Sequence, residues 1–313
     1  MNATLVYADY PPFNSSHYRI FTPAKYLKQA GHTIRVVHAD QVTEVDDVVL
    51  VERNLNENDL LKYKALGAKR IIYTFDDAYR VIPANTASTN YWRGENQNVL
   101  DLAPVIRQIY KTIVPCELLA KHYNATVVPN FHDPDWVVDK TNIYDGKIRI
   151  GWGGSSGHYV TWQNSCFVQA LEMICMEFNN VSVSIVGGFN PNYDFVKSYI
   201  NWLEFNTWKH RVATFDIGIA PLHGSYDKYR SNLKVVEYGL SGVPFVATRY
   251  IEYESSDGGL HVENTSKAWY RALRSLVVSE ELRNHLGRNG RKWAKQYLFG
   301  YEALKMYEAL LWG

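Results

Sequence analysis

The sequence predicts an α/β protein of two domains, each a parallel β-sheet covered by helices on both faces. Three observations predict it: the length of 313 residues, short apolar runs that alternate with helix-length amphipathic segments, and a second series of this kind after a polar stretch near residue 140. A single hydrophobic core seldom grows beyond about 250 to 300 residues, so a chain of this length favours two domains.

The first half opens with a βαβ pattern. A strand-like run at 5–8 is followed by a helical pattern at 19–30, which Gly31 closes, and by a second strand at 33–38. Further apolar runs at 48–51, 70–75, 112–114 and 126–128 extend the sheet. Their continuous apolar character is typical of parallel strands that are buried on both faces. Residues 1–140 are therefore predicted to form the first domain.

The second half repeats this alternation after a polar, turn-rich linker at 138–146. Strands are predicted at 148–152, 181–186, 215–220 and 244–247, and helices at 162–178 and 232–240. Residues 141–296 thus form a second Rossmann-like domain in this interpretation. The tail at 266–312 has the pattern of consecutive amphipathic helices, with Ser279 as a helix start, and residues 297–313 form a last helix that can return to the first domain.

Composition narrows the functional classes. The hydrophobic content of 46% and the charged content of 21% describe a packed globular protein rather than a disordered one. Because 33 basic residues balance 32 acidic ones, overall charge gives no reason to bind a polyanion. Cys116, Cys166 and Cys175 lack CxxC spacing, which disfavours a disulfide framework or a zinc site. Without a secretion signal or an apolar run of about 18 residues, we expect a cytoplasmic protein with no transmembrane segment.

Loops that follow strands are the candidate sites, because parallel sheets bind ligands at the carboxyl ends of their strands. The first such loop is glycine-rich and spans 151–158, where backbone amides can approach a phosphate or a sugar. Ser156 stands where a dinucleotide-binding GxGxxG motif has its third glycine, and the nearest acidic residue, Glu172, falls inside a helix, which disfavours NAD. A tight βα turn without a ligand is the alternative. The candidates here are Gly153, Gly154, Ser155 and His158, together with Gly187 after the next strand.

The second loop leads from the strand at 215–220 into the helix at 232–240. Ser231 is a candidate cap for this helix, whose dipole and free amides would favour an anion such as a diphosphate. Glu237 lies one turn after Lys234 on an otherwise apolar helix, so its carboxylate needs a partner, and sugar hydroxyls are one. A surface ion pair between the two residues is the alternative. The candidates are Tyr226, Lys228, Arg230, Ser231, Asn232, Lys234 and Glu237.

A set of residues between about 147 and 297 resembles a known family. The set consists of 148–152, Gly154, Ser155, His158, 215–222, Arg230, Ser231, Leu233, Lys234, 237–239, Gly242 and Pro244, with Trp269, Leu282, Arg283, Leu286, Gly287, Gly290 and Arg291 in the tail. In this combination they resemble the donor-binding domain of GT-B glycosyltransferases, and most of all the family 4-like proteins of bacteria and phages. The first half matches more loosely, at 17–19, Pro23, Leu27, Gly31, 73–77 and 128–130.

The resemblance implies a GT-B architecture of two facing Rossmann-like domains, with the acceptor domain first and the donor domain second. It also implies retaining transfer from a nucleoside diphosphate sugar, UDP- or GDP-linked, without an obligatory metal or other cofactor. Glu237 matches the glutamate that holds the donor ribose, while Lys234 and the amides near Ser231 match the groups that neutralise the diphosphate. The family also implies the bacterial cytoplasm, with a bacterial or phage origin.

Two departures from the family pattern concern the leaving group. Tyr229 stands where many retaining members have another glutamate, and the Arg and Lys pair that usually follows the first strand of the donor domain is absent. Lys228, Arg230 or His158 are the residues that can compensate. Because these family residues are missing, a non-catalytic protein that binds a sugar nucleotide is an alternative to an active enzyme.

On the acceptor side, Asp76 and Asp77 end the strand at 70–75, where paired carboxylates can hold a cation or a hydroxyl. A turn cap is the alternative, and we favour contact with the acceptor over a metal. His17 either faces the cleft or caps a turn. The acceptor is a saccharide, as in surface polysaccharides or lipid-linked precursors, or a hydroxymethylated pyrimidine in phage DNA. Candidate DNA contacts are Tyr91, Trp92, Arg93, Arg107 and Lys111.

Overall fold

The computed structural model describes residues 1–10, 15–53, 55–78, 103–164 and 166–313. It contains two six-stranded sheets, and every pairing between neighbouring strands is parallel. The strand order is β2-β1-β3-β4-β5-β6 in the first sheet and β12-β11-β10-β7-β8-β9 in the second. The predicted class, two α/β domains with parallel sheets, is confirmed.

The first sheet and its helices are built from residues 2–127. Its core strands are buried on both faces, as their continuous apolar runs predict, and β3 is buried at every residue. A π-helical turn, His17–Phe21, runs directly into the first helix. The strands are β1 Asn2–Tyr7, β2 Thr33–His38, β3 Val48–Glu52, β4 Arg70–Thr74, β5 Lys111–Val114 and β6 Thr126–Val127, and the helices are α1 Thr22–Gln29, α2 Glu57–Ala65, α3 Ala103–Ile106 and α4 Glu117–Tyr123.

The second sheet follows the same plan with two strands that the sequence pattern did not reveal, β9 and β12. Both lie at the edges of the sheet and are only partly buried, so their apolar signal is weak. The predicted helix at 162–178 is in fact two helices, α5 and α6. The strands are β7 Ile148–Gly154, β8 Val181–Gly187, β9 Val196–Ile200, β10 Ile217–Ala220, β11 Phe245–Thr248 and β12 Gly259–Val262; the helices are α5 Tyr159–Asn164, α6 Phe167–Glu177, α7 Phe205–Val212, α8 Gly224–Asp227 and α9 Leu233–Leu240.

Three helices complete the chain: α10 Ser266–Val278, α11 Glu280–Ala294 and α12 Tyr301–Trp312. Ser279 caps α11 as predicted, since its side chain accepts a hydrogen bond from the amide of Leu282. Tyr307 and Leu311 of α12 belong to the hydrophobic cluster of the first sheet. The last helix therefore packs on the first half of the chain, although the second sheet precedes it in sequence. Among the described residues, no helix is long and apolar enough to cross a membrane.

Candidate active site

A cavity of about 210 Å³ lies between the carboxyl ends of strands from both sheets. This is where parallel α/β sheets bind their ligands. The cavity brings together most of the residues that the sequence singled out, drawn from separate loops. These are Asp76, Asp77, Gly153, Gly154, Ser155, His158, Arg230, Ser231, Lys234 and Glu237. The predicted residues His17, Gly187, Tyr226, Lys228 and Asn232 are not part of its lining.

The glycines of the first loop have packing roles beside any contact with a ligand. A Cβ atom on Gly153 would lie 2.2 Å from the Trp208 ring, so the glycine leaves room for the indole to pack against the end of β7. Gly187 has a φ of +146°, and a Cβ atom there would lie 1.8 Å from the carbonyl oxygen of Gly154. Gly187 therefore allows β7 and β8 to approach each other closely, which is a structural reason for the glycine where the sequence suggested a ligand contact.

Lys234 lies at the start of α9 and reaches back to the end of β7. Its Nζ atom donates a hydrogen bond to the carbonyl oxygen of Gly153 and lies 5.0 Å from the centre of the Trp152 ring. Burial, aided by the positive charge of Arg230 and opposed by Glu237, lowers the pKa of Lys234 to about 8. An anion bound beside Lys234 would stabilise the protonated, positively charged form of this side chain. The site is therefore suited to a phosphate.

Glu237 is buried, with 6% of its surface exposed, and both carboxylate oxygens accept hydrogen bonds. Oε1 accepts from the hydroxyl of Tyr18 at 2.7 Å, across the cleft, and Oε2 accepts from the indole nitrogen of Trp208 at 3.2 Å. Burial raises its pKa. The alternative of a surface ion pair with Lys234 is wrong, because Glu237 is buried and these two neighbours are its hydrogen-bond partners. A carboxylate has about four acceptor positions, so capacity remains for further hydroxyls.

Arg230 and Tyr226 reach across the cleft to Asp77. The Tyr226 hydroxyl donates to Asp77 Oδ1 at 2.6 Å, and Arg230 Nη1 lies 3.8 Å from the same oxygen. Arg230 also pairs with Asp227 at 3.3 Å. Burial and the adjacent Asp76 raise the pKa of Asp77, against the opposing effects of Arg230, Arg53 and Tyr226. Tyr226 was predicted as a donor-site residue, but its hydroxyl is directed to the first half of the chain.

A polar network that the sequence analysis missed lies beneath the first-half side of the cavity. Arg53, in the left-handed region with φ of 56°, donates to Asp9 Oδ1 at 2.6 Å and to Asp76 Oδ1 at 3.3 Å. Glu52 is fully buried and accepts hydrogen bonds from Ser15 and Ser16, and burial with nearby Asp9 raises its pKa to about 7. Asp9 and Glu52 follow or end strands β1 and β3, so the strand-end rule that identified Asp76 and Asp77 would have found them.

His158 and His17 are both kept neutral by burial. His158 is 7% exposed, lines the cavity, and its Nδ1 atom has no hydrogen-bond partner among the described residues. Burial and the charges of Arg230 and Lys234 hold its pKa well below the usual value.

His17 stacks on Phe205, with ring centres 3.8 Å apart, and burial lowers its pKa to about 4. His17 thus makes an interdomain contact and is outside the cavity lining.

Two predictions for the second loop need correction, the capping role of Ser231 and the place of Lys228 in the site. Ser231 does not cap α9: the cap position is Asn232, and it makes no side-chain capping hydrogen bond. The Ser231 hydroxyl instead accepts from Asn130 at 3.3 Å. Within the described part of the chain, no side chain caps the first amides of α9, so these amides can bind an anion. Lys228 is exposed, and its ammonium lies 4.9 Å from the centre of the Tyr229 ring, outside the cavity.

Of the candidate DNA contacts, the structure describes only Arg107 and Lys111. Lys111 begins β5 and pairs with Ile72, four residues before Asp76 on the neighbouring strand. At about 3.3 Å per residue, it is displaced by about 13 Å toward the amino ends of the strands, away from the cavity. Arg107 lies between the helix Ala103–Ile106 and β5 and is not part of the cavity lining. Tyr91, Trp92 and Arg93 fall outside the described residues. In the described part of the chain, no group of three or more His, Cys, Asp or Glu side chains is arranged to hold a metal ion.

No protein-family model matches this chain, and neither does any curated protein sequence. Solved structures do match it over their full length. Sucrose-phosphate synthase from Thermosynechococcus elongatus has a TM-score of 0.69 at 12% identity, with coverage of 99% of this chain and 98% of that one. HepE from Anabaena, in complex with UDP and glucose, has a TM-score of 0.67 at 11% identity, with 98% of each chain covered.

An α-glucosyltransferase in complex with UDP and a 13-mer DNA containing an HMU base has a TM-score of 0.61 at 13% identity, with 99% of each chain covered. Identities this low establish the architecture alone. The similarity extends over both sheets, the cleft between them and the C-terminal helix that returns to the first sheet. The chain therefore has the GT-B fold that its sequence predicts.

Proposed function

We propose that the protein is a glycosyltransferase that moves a sugar from a UDP-sugar to an acceptor hydroxyl, with retention of configuration and without a metal ion. The observation that carries the proposal is that Lys234 and Glu237, one helical turn apart, both line the same cavity. Structural neighbours with bound UDP, among them HepE and the α-glucosyltransferase, support this assignment.

The donor diphosphate fits between Lys234, Arg230 and the first amides of α9. The two side chains supply positive charge and the helix start supplies amide donors, which together suit an anion. The neutral imidazole of His158, with an open Nδ1 position beside these cations, adds a further polar contact. These groups take the place of the Arg and Lys pair that the family usually has after the first strand of its donor domain.

The nucleoside fits beyond the diphosphate. Glu237 can accept hydrogen bonds from ribose hydroxyls, and the indole of Trp208 beside it provides an apolar face. Trp202 and Leu203 line the same cavity and extend this apolar wall. One polar anchor among apolar groups is typical of a site for a small ligand.

Catalysis in this proposal depends on charge stabilisation. Breaking the bond between the anomeric carbon and the phosphate oxygen leaves negative charge on the diphosphate. Fixed cations such as Lys234 and Arg230 then stabilise the transition state more than the bound substrate. Retention requires the acceptor hydroxyl to approach the sugar face from which the diphosphate departs, where a phosphate oxygen can take its proton.

The direct test is to incubate the purified protein with UDP-glucose and other UDP-sugars and to measure released UDP. Release with an acceptor, or slow hydrolysis without one, supports a transferase. Proton NMR of the first product would report the configuration. If UDP-sugars raise the melting temperature through binding but no UDP is released, the chain is a non-catalytic sugar-nucleotide-binding protein.

We expect donor binding to survive chelation. The proposed diphosphate site relies on Lys234, Arg230 and helix amides, so UDP should bind with the same affinity in excess EDTA. Calorimetric titrations of UDP with EDTA, with Mg²⁺ and with Mn²⁺ measure this. Binding that disappears in EDTA and returns with either metal contradicts the metal-independent mechanism.

For the acceptor, we favour a saccharide over DNA. Among the described residues that line the first-half side of the cavity, two carboxylates, Asp76 and Asp77, face one cation, Arg53, so this wall has no excess of positive charge to attract phosphates. Transfer should therefore change little between 50 and 200 mM salt, since a duplex acceptor that contacts several phosphates would lose affinity steeply. Assays on neutral oligosaccharides and on hydroxymethylated duplex DNA at both salt concentrations measure this. Strong, salt-sensitive transfer to the DNA would reverse the assignment.

A further inference from the structure

We infer that Tyr226 is a positioning residue for the acceptor: its hydroxyl reaches from the second half of the chain and holds Asp77 of the first half in place beside the cavity. The inference rests on the proposed glycosyl transfer and assigns a role to a residue that is not part of the cavity lining. In this arrangement Tyr226 binds one oxygen of Asp77, and the other oxygen receives the acceptor hydroxyl.

The first support is the way Tyr226 is embedded. The residue is 5% exposed and belongs to the hydrophobic cluster of the first half, together with Val51, Phe75 and Leu119. Its own helix, α8 Gly224–Asp227, belongs to the second half. The tyrosine therefore bridges the cleft, and its ring is fixed by packing before any substrate binds. A packed ring carries its hydroxyl with little rotational freedom, which is what a positioning residue needs.

The second support is the distribution of contacts on Asp77. The hydrogen bond from Tyr226 and the nearer approach of Arg230 both fall on Oδ1, at 2.6 and 3.8 Å. Among the described residues, no hydrogen bond is made to Oδ2. Asp77 lines the cavity, and its side chain is 20% exposed. An oxygen with open acceptor positions at the cavity wall is suited to a hydroxyl.

The third support is the contrast with the neighbouring carboxylate. Asp76 is held by Arg53, which belongs to the same half of the chain and also binds Asp9. Asp77 is held by two residues of the opposite half, Tyr226 and Arg230. Its position therefore depends on how the two halves meet around the donor. The structure thus separates the two candidates that the sequence left equivalent, and Asp77 is the one linked to the donor side.

The test is the variant Tyr226→Phe, which keeps the packed ring and removes only the hydroxyl. We expect kcat/KM for the acceptor to fall about tenfold or more, as for loss of a hydrogen bond to a charged group. UDP affinity should stay within about twofold, because the donor is held by other residues. Tyr63→Phe is the matched control, since Tyr63 is buried in the same cluster but lies on α2, away from the cavity.

A pH profile adds a readout that a packing role would not move. The groups that act on Asp77 are Asp76, which raises its pKa, and Arg230, Arg53 and the hydroxyl of Tyr226, which lower it. Removing the hydroxyl should raise the pKa of Asp77. The acid limb of kcat/KM should then move to higher pH in Tyr226→Phe and stay in place in Tyr63→Phe.

A double-mutant cycle with Asp77→Asn completes the experiment. If Tyr226 acts through Asp77, its change should have a smaller effect in the Asp77→Asn background than alone. An unchanged acceptor kcat/KM and acid limb in Tyr226→Phe would overturn the inference, as would full additivity in the cycle. Loss of UDP affinity would overturn it too, by returning Tyr226 to the donor site. A wild-type protein that releases no UDP defeats the proposed function itself, which is a distinct result.

Discussion

Lys234→Ala is expected to lower kcat about 100-fold, as loss of one preorganised electrostatic group does in other enzymes. The ammonium lies where the diphosphate would gain charge as the sugar leaves, so its contribution grows toward the transition state. Steady-state rates with a UDP-sugar and direct UDP titrations measure the two effects separately. The loss in kcat should exceed the loss in donor affinity.

The pH dependence of this residue gives the prediction a second measurement. Burial and Arg230 lower the pKa of Lys234 to about 8 without a ligand. If the protonated form is required, kcat/KM should fall as the pH rises above about 8. A bound diphosphate favours the protonated form, so the corresponding limb in kcat should lie at higher pH. Lys234→Arg should remove both limbs in this range, because arginine stays protonated.

Lys228→Ala is the matched control for Lys234→Ala. It removes the same charge from the same loop, but Lys228 is exposed beside Tyr229 and outside the cavity. Its rates should equal those of the wild type. If Lys234→Ala also retains wild-type rates while folded, Lys234 does not stabilise the leaving group and the donor site must be sought elsewhere.

Glu237→Gln is expected to weaken UDP binding by about 1.5 to 3 kcal/mol, roughly a 10- to 150-fold rise in Kd. The amide keeps the shape of the side chain and one acceptor oxygen for the Trp208 indole, while its nitrogen can donate to the oxygen of Tyr18. The fold should therefore tolerate the change. Ribose hydroxyls, in contrast, lose a charged acceptor. Isothermal titration with UDP measures the effect, and uridine should show the same proportional loss.

Glu172→Gln controls for the change in charge, because Glu172 is exposed on α6, outside the cavity. Wild-type UDP affinity in Glu237→Gln would remove Glu237 from the donor site. Tyr18→Phe distinguishes the two functions of the carboxylate: it breaks only the hydrogen bond across the cleft. If Glu237 serves the ribose, Tyr18→Phe should retain UDP affinity.

The fold class follows from the sequence alone, because continuous apolar strands that alternate with amphipathic helices have few other ways to bury their surfaces. The sequence also predicted the loops that line the cavity, since the carboxyl ends of parallel strands such as β4 and β7 lie at the edge where such sheets bind ligands. The two edge strands β9 and β12 escaped it, because partly exposed strands carry little apolar signal.

Which side chains of those loops come into contact depends on the tertiary structure and is not evident from the sequence. Residues that are close in sequence differ in position: Lys234 lines the cavity, whereas Lys228 lies outside it. In contrast, Tyr226 contacts Asp77, which is 149 residues away in sequence. Tyr18, a hydrogen-bond partner of Glu237, approaches it across the cleft from 219 residues away in sequence. Local patterns follow from the period of a helix or strand, which the sequence carries. Contacts between the two halves follow from how two separately folded sheets dock, and no local period encodes that.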